Sequence, residues 1–225
     1  MVKDASYLMK NYRFVCAQAK AYNTPVRLRS YTTESSIDHL LAEGCKIWEA
    51  ARATSAASGF FDPIPIGLQT YIDGATECNN PVNAVWSEAG SIWDDLQQRI
   101  QSLVSIGTGK RDLRDFGDDL PSISKSLISI ATETETTEQL FYERHISLGL
   151  EGRYFRFNVD QGLAQVKLAG IEKLDHVQTA TEQYLNDQRV NRAIDLLVMA
   201  RPPFNGNVNG IHYRMFICLI CARLC

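Results

Sequence analysis

The residues best suited to chemistry in this sequence are Asp73, Gly74 and Ala75. The carboxylate of Asp73 could take a proton from a nucleophile, and Gly74 would let the backbone pass close to a neighbouring segment without a Cβ clash. Asp-Gly is also one of the commonest turn dipeptides, so taken alone it favours a hairpin turn. These residues are therefore compatible with a catalytic base and with a simple turn.

A second pattern, Gly107-Thr108-Gly109-Lys110, invites comparison with phosphate-binding loops. A Walker loop would need glycine at Val104 and Ser or Thr at Arg111, and a dinucleotide-binding loop would need glycine at Asp112. Both patterns fail at these positions. We therefore predict no nucleotide site here.

Cysteine and histidine do not form a recognisable site either. Cys218, Cys221 and Cys225 are spaced like half of a zinc site, but tetrahedral zinc needs four ligands and no second pair lies at a suitable spacing. The remaining cysteines are far apart, which is not a disulfide framework. None of the four histidines stands in a context typical of a base, and the glutamates at 133, 135 and 138 are most simply a solvated helix face.

Composition narrows the class of protein. The chain has 225 residues, 45% of them hydrophobic and 22% charged, which suits one globular domain. The net charge of -3 leaves no basic surface for binding nucleic acid. No apolar run approaches the ~20 residues of a membrane span, and no leader sequence is recognisable. We therefore expect a cytoplasmic protein without nucleic-acid partners, and no feature indicates an oligomeric state.

Short apolar patterns predict the first elements. Residues 13–19 and 26–31 are rich in β-forming residues and flank the turn sequence Asn23-Thr24-Pro25, so they predict paired strands. Residues 47–57 are dominated by alanine, and they predict a helix that ends at Ser58-Gly59.

Later segments continue the alternation of strands and helices. Residues 103–106 form an apolar run closed by Gly107, as in a strand buried on both faces, and residues 154–159 alternate as in a half-buried strand. The alternation favours an α/β layered fold. Helical spacing predicts three further helices, marked by Val82, Trp86, Ala89, Trp93 and Leu96, by Ile171, Leu174, Thr181 and Leu185, and by Val190, Ile194, Leu197 and Val198.

Four segments, in this order, resemble the second half of the patatin-like phospholipase family. The segment 51–61, Ala-Arg-Ala-Thr-Ser-Ala-Ala-Ser-Gly-Phe-Phe, is similar to the family's Ala-Thr-Ser-Ala-Ala-Pro helix exit, with serine where proline is usual. Tyr71-Ile72-Asp73-Gly74-Ala75, followed by Asn79-Asn80-Pro81, resembles the family's Asp-Gly segment and its downstream Asn-Asn-Pro. Residues 105–109 and the strand at 154–159 complete the set of four segments. Their amino-acid sequences look most similar to those of fungal members of the family.

The resemblance implies a fold and an activity. It implies a three-layer α/β/α fold of the FabD/lysophospholipase type, here as a partial domain over residues 12–199 that lacks the N-terminal part of the sheet. The implied activity is that of a serine acyl hydrolase with a Ser-Asp dyad, in which Asp73 matches the base and Gly74, Ala75, Asn79, Asn80 and Pro81 match the supporting motif. The implied substrate is a phospholipid or another acyl lipid, reached by peripheral contact with a membrane. No metal and no cofactor are implied.

The nucleophile is the part of the implied dyad that these residues do not contain. No Gly-x-Ser-x-Gly occurs anywhere in the 225 residues. We therefore expect a C-terminal fragment of the domain that is inactive alone, or alternatively a non-enzymatic module that acts through protein interaction. Residues 200–225 contain no acidic residue and end in a cysteine-rich apolar run, so we expect a disordered or mis-spliced tail outside the family domain.

Overall fold

The computed structural model describes residues 14–21, 24–31, 44–57, 60–110, 122–146, 150–163, 166, 171–200 and 214–219. These residues form a mixed arrangement of helices and strands, which confirms the predicted α/β class. The chain divides into two compact units, Met1–Cys78 and Asn79–Cys225, and each is described by itself.

The first unit is built on an antiparallel sheet. Its strands are β1 (Phe14–Ala19), β2 (Thr24–Arg29), β3 (Ile64–Ile66) and β4 (Gln69–Asp73), in the order β2-β1-β4-β3. The predicted pairing of the first two strands is confirmed, with Ala17 opposite Val26. The described residues of this unit also form two helices, α1 (Ile47–Thr54) and the short α2 (Ala75–Cys78). Buried alanines of β1 and α1 pack around Tyr71, whose side chain is fully covered.

Helix α1 ends earlier than its sequence suggests. The alanine-rich run predicts a helix to residue 57, but the last helical residue is Thr54 and Ser55 forms the C-terminal cap. The Ser55 hydroxyl donates to the carbonyl of Ala51 at 2.8 Å, which is a common way for serine to satisfy a free carbonyl near a helix end. Ser58-Gly59, the predicted stop, lies outside the described residues.

The second unit contains a parallel sheet with β5 (Ile100–Ile106) in its centre. Its neighbours are β6 (Tyr154–Phe157) and β7 (Arg214–Leu219), both parallel to β5. Leu103, Val104 and Ser105 are buried, which confirms the strand predicted at 103–106 and its central position. Strand β7 lies in the segment 200–225, for which we predicted a disordered or mis-spliced tail, and its run of β-forming residues suits a strand.

Five helices accompany this sheet among the residues the structure describes. They are α3 (Val82–Ile92), α4 (Leu96–Arg99), α5 (Ser122–His145), α6 (Leu174–Leu185) and α7 (Gln188–Met199), with a 3-10 turn at Ile171–Lys173 before α6. The two helices predicted after residue 170 are confirmed. The single helix predicted from Val82 to Leu96 is wrong in one respect, because Trp93 is extended and divides it. Its apolar stripe nevertheless packs into one core with β5 and Phe141.

We expect Phe141→Ala to lower the free energy of unfolding by about 3–5 kcal/mol, because it leaves a cavity in this core. Phe141 is 1% exposed and its ring lies against Trp86, His145 and Tyr154. The neighbouring Leu140 is 54% exposed, so Leu140→Ala is the matched control and should change stability by less than about 1 kcal/mol. Urea denaturation followed by circular dichroism measures both, and equal losses would contradict the position of this core.

Candidate active site at the Asp73 turn

Asp73 is the last residue of β4 and is tied to two neighbouring segments. It lies opposite Ala17 of β1, and its backbone N–H donates to the carbonyl of Ala56 at 3.1 Å. The turn of the β3–β4 hairpin is Gly67-Leu68, and Leu68 lies five residues before Asp73, the end of β4. The interpretation of Asp73-Gly74 as a hairpin turn is therefore wrong, because these residues join a strand to a helix.

The carboxyl group of Asp73 has one oxygen held and one oxygen open. Oδ1 accepts a hydrogen bond from the backbone N–H of Ala75 at 2.8 Å, which fixes the rotamer of the side chain. Among the residues that the structure describes, no group donates to Oδ2. Burial raises the pKa of Asp73 above its ordinary value, and the bond from Ala75 acts in the opposite direction with a smaller effect. The open oxygen is thus more basic than that of a fully hydrated aspartate.

Gly74 is required by the approach of the β1 backbone. A Cβ built on Gly74 would lie 2.4 Å from the carbonyl oxygen of Cys16 and 3.1 Å from the backbone nitrogen of Ala17. Both atoms belong to the main chain and cannot rotate away. The sequence suggested that glycine here would let the backbone pass close to a neighbouring segment, and the described neighbour is β1. The Gly74 carbonyl also accepts the N–H of Cys78 at 2.8 Å and closes the first turn of α2.

The residues at the end of α1 also hold the Asp73 turn, through hydrogen bonds to β1 and β4. The Thr54 hydroxyl is buried and donates at 2.6 Å to the Cys16 carbonyl, the atom that approaches Gly74. Two residues later, Ala56 is buried and supplies the carbonyl that accepts the Asp73 N–H. The sequence analysis used Ala-Thr-Ser-Ala-Ala only as a motif of the family and predicted no role for Thr54. The position of a threonine at the end of the helix was the only sequence feature that indicated such a role.

Asn79, Asn80 and Pro81, which were predicted to support the site, belong to the second unit. The Asn79 side-chain amide donates to the Thr134 hydroxyl of α5, and that of Asn80 donates to the Thr134 carbonyl at 3.4 Å. The Asn80 Oδ1 accepts the N–H of Val82 at 3.3 Å, and Pro81 is the N-terminal cap of α3. Their described contacts therefore begin α3 and join it to α5.

The residues after β5 carry a polar network. A Cβ on Gly107 would lie 2.3 Å from Oδ1 of Asn158, so glycine lets this side chain cover the strand end. The same Oδ1 accepts the Gly109 N–H at 2.7 Å, and Nδ2 donates to Glu135 at 3.0 Å. Gly109 has a φ of 101°, a conformation that glycine adopts without strain. The Gly-Thr-Gly sequence thus serves packing of the strand end.

The glutamates of α5 are not a fully solvated face. Glu138 lies 3.7 Å from Arg156 and accepts a hydrogen bond from the Tyr154 hydroxyl, and its side chain is only 17% exposed. Glu135 pairs with Lys110 at 3.1 Å and lies 3.7 Å from Arg156. Only Glu133 is exposed as expected. The polar face of β6 is consequently packed against α5, because opposite charges meet there.

The described residues contain no group of three or more His, Cys, Asp or Glu side chains that could hold a metal ion. In the same part of the chain, no helix combines the length and the apolar composition that crossing a membrane requires.

The segment that contains the Asp73 turn matches a known protein family. Residues 4–86, which include α1 and the whole Asp73 turn, match the family model described as patatin-like phospholipase. The chain belongs to the patatin-like phospholipase family. The family model thus covers the α1 exit, β4 and the Asn-Asn-Pro segment with which the sequence resemblance was made.

The curated relatives of this patatin-like chain are phospholipases. Calcium-independent phospholipase A2-gamma of Mus musculus is 35% identical over 166 residues, which is 68% of this chain and 20% of that protein. The Homo sapiens protein of the same name is 32% identical over 181 residues, 75% of this chain and 22% of the relative. Phospholipase A I of Arabidopsis thaliana is 34% identical over 118 residues, 51% of this chain and 9% of the relative. The chain thus spans about a fifth of the A2-gamma relatives, and no solved structure matches it.

We expect Gly74→Ala to lower the free energy of unfolding by about 1–3 kcal/mol or more, because its methyl group would meet backbone atoms of β1. Gly90 in α3 is the matched control, since a Cβ there meets nothing within 4 Å. Gly90→Ala should raise stability by about 0.5–1 kcal/mol, because alanine is the better helix former. Urea denaturation separates the two outcomes, and a stabilising Gly74→Ala would contradict the close approach.

We also expect Asp73→Asn to be more stable than the parent chain at pH 7. A raised folded-state pKa means that the folded chain binds this proton more tightly than the unfolded chain, so Asp73 lowers stability as pH rises through that pKa. Asparagine keeps an oxygen for the Ala75 N–H and carries no charge. The gain should shrink below the ordinary pKa of 3.8, where aspartate is protonated in both states. Melting temperatures at pH 7 and pH 3.5 test this, and a gain independent of pH would contradict it.

Proposed function

We propose that Asp73 is the proton acceptor of a Ser-Asp dyad in a phospholipase that hydrolyses acyl esters of phospholipids. The observation that carries the proposal is the state of its carboxyl group: Oδ1 is fixed by Ala75, Oδ2 is open, and burial raises the pKa. A base works best when its pKa approaches the working pH, so burial suits this role. The names of the relatives support this proposal, because the mouse and Arabidopsis proteins are both named phospholipases.

The dyad would act in two half-reactions. Oδ2 takes the proton of a serine hydroxyl as its oxygen attacks the ester carbonyl, and the protonated Asp73 then gives that proton to the departing alcohol of the lysophospholipid. Water attacks the acyl-serine in the same way, with Asp73 again taking the proton and returning it to the serine as the fatty acid leaves. The route involves no metal, in keeping with the relatives named calcium-independent.

The serine must come from outside these residues, because no Gly-x-Ser-x-Gly lies among the 225. The donors that stabilise the oxyanion would come with it, since backbone N–H groups next to the nucleophile usually serve this purpose. The chain's own part is to hold a desolvated carboxylate in one rotamer. It does so through Ala75, Ala56 and the approach of Gly74 to β1.

The lack of a nucleophile motif also supports a second candidate, a non-enzymatic module that acts by binding another chain. In that case the Asp73 turn would be only a structural feature. The two candidates differ in what happens when a nucleophile is supplied, because only the first predicts hydrolysis that depends on Asp73.

The test extends the full 225-residue chain at its N-terminus with a segment that carries the Gly-x-Ser-x-Gly motif implied by the family resemblance, and this fusion is called the joined protein. It should hydrolyse a phospholipid ester, and Asp73→Asn should lower kcat by at least about a thousandfold, because dyad members act as a unit. Asp94→Asn is the control, since Asp94 is exposed and lies in the other unit. Activity that survives Asp73→Asn would remove Asp73 from this role. A folded joined protein without hydrolysis would favour the non-enzymatic candidate.

A further inference from the structure

Thr54 is a polar residue in the apolar core of the first unit. It is the last residue of α1 and is only 3% exposed, although threonine is mostly found at the surface. The preceding residue, Ala53, belongs to the same core as Ala17 of β1 and Tyr71 of β4. Burying a hydroxyl costs free energy unless it forms a hydrogen bond, so the partner of this hydroxyl indicates what the residue does.

The partner of the Thr54 hydroxyl is a backbone atom beside the candidate base. The hydroxyl donates at 2.6 Å to the carbonyl of Cys16, the β1 atom that leaves no room for a Cβ on Gly74. In the β1–β4 register, Ala17 lies opposite Asp73, and Cys16 and Gly74 are the next residues of the two chains. The bond therefore attaches the end of α1 to β1 at the level of the Asp73 turn.

A second bond attaches the end of α1 to β4. The Ala56 carbonyl accepts the backbone N–H of Asp73 at 3.1 Å. Strand β3 begins at Ile64, opposite Tyr71, so the segment after α1 takes the place of β3 as the neighbour of Asp73. Thr54 and Ala56 are only two residues apart, so a shift of the end of α1 changes both contacts together.

The hydroxyl of the next residue has a different task. Ser55 donates to the carbonyls of Ala51 and Arg52, both of which belong to α1. Its hydrogen bonds therefore complete the end of the helix, whereas that of Thr54 reaches across to the sheet. Two adjacent hydroxyls thus allow helix capping and attachment to β1 to be tested separately.

We propose that Thr54 is a positioning residue for the proposed reaction: it holds the end of α1 on β1, so that Ala56 keeps Asp73 where its Oδ2 reaches the serine. This role rests on the proposed function, because Thr54 acts only through the backbone of Asp73 and is not itself a catalytic residue. A displacement of about 1 Å at the reacting groups can lower a rate by about a hundredfold, so one such bond is sufficient to affect catalysis.

The first test compares three variants of the joined protein. Thr54→Val keeps the shape of the side chain without its hydroxyl, and should lower kcat by about 10- to 100-fold with KM unchanged, because positioning acts in the transition state. Thr54→Ser keeps the hydroxyl and should retain most of the parent kcat. Ser55→Ala, the matched control, should change neither constant. Circular dichroism verifies that each variant is folded.

A double variant separates positioning from a general loss of structure. If Thr54 acts through Asp73, adding Thr54→Val to Asp73→Asn should not lower kcat further, because the group being positioned is already lost. A further loss of the same size as in the parent would overturn the proposal. So would an unchanged kcat for Thr54→Val, or an equal loss for Ser55→Ala.

The last measurement involves no hydrolysis and uses the 225-residue chain alone. Burial raises the pKa of Asp73, and an NMR titration of its carboxyl carbon should show a lower pKa in Thr54→Val, nearer the ordinary 3.8, because the released turn admits water. Thr54→Ser and Ser55→Ala should keep the parent pKa. An unchanged pKa in Thr54→Val would overturn the positioning role while leaving the dyad intact. Activity of the joined protein that survives Asp73→Asn would overturn the dyad and this role with it.

Discussion

The close approach of Gly74 to the backbone of β1 is the constraint on which the candidate site depends. The strand pairing that sets Asp73 opposite Ala17 also brings Gly74 so close to β1 that a Cβ on it would lie 2.4 Å from the Cys16 carbonyl oxygen. Only glycine fits there, and the chain then turns at once into α2. The same carbonyl accepts the Thr54 hydroxyl, so α1, β1 and the Asp73 turn meet at this backbone atom.

This arrangement explains how a carboxylate can be held partly out of water. A buried charge destabilises a fold unless hydrogen bonds compensate it, and Asp73 receives one such bond, from Ala75. A site that stabilised the carboxylate fully would bind it with several donors and lower its pKa, which would make it a poor base. Partial compensation keeps the group ionisable, and no described residue donates to Oδ2, as the proposed role of proton acceptor requires.

In the second unit, ion pairs and hydrogen bonds between side chains compensate the charged residues near the sheet. Arg156 meets Glu135, Glu138 and the Ser105 hydroxyl, so the charges of β6 and α5 compensate one another across the end of β5. Glycine at 107 and 109 permits this packing, as glycine at 74 permits the approach to β1. The family motifs around β5 are therefore accounted for by packing, whereas the motif around Asp73 holds the carboxylate that we propose as the proton acceptor.

Sequence alone predicted the elements whose side chains repeat regularly. The alternation in β1 and β2, the apolar run of β5 and the spacing in α6 and α7 each reflect one buried face, so each was found. The break at Trp93 was missed because its side chain continues the apolar stripe although its backbone is extended. The burial of Glu138 was missed because helical spacing shows which residues share a face but not what packs on it.

The candidate site was predictable only in part. Asp73 was predicted as a site residue from the sequences of four motifs taken together. An Asp-Gly dipeptide alone is equally typical of a simple turn, so it could not indicate a catalytic base. The carbonyl of Ala56 and the hydroxyl of Thr54, which hold the turn, were not predictable, since they act through contacts between segments distant in sequence. Local patterns contain no information about such pairs.

The most direct measurement is an experimental structure of the joined protein with its serine labelled by a phosphonate, and of the same protein unlabelled. The account predicts that Oδ2 of Asp73 lies about 2.6–3.2 Å from the serine oxygen in the unlabelled protein, while Oδ1 keeps its bond from Ala75. A carboxylate that turns away from the serine in both structures, or an Oδ2 bonded within the chain, would contradict it.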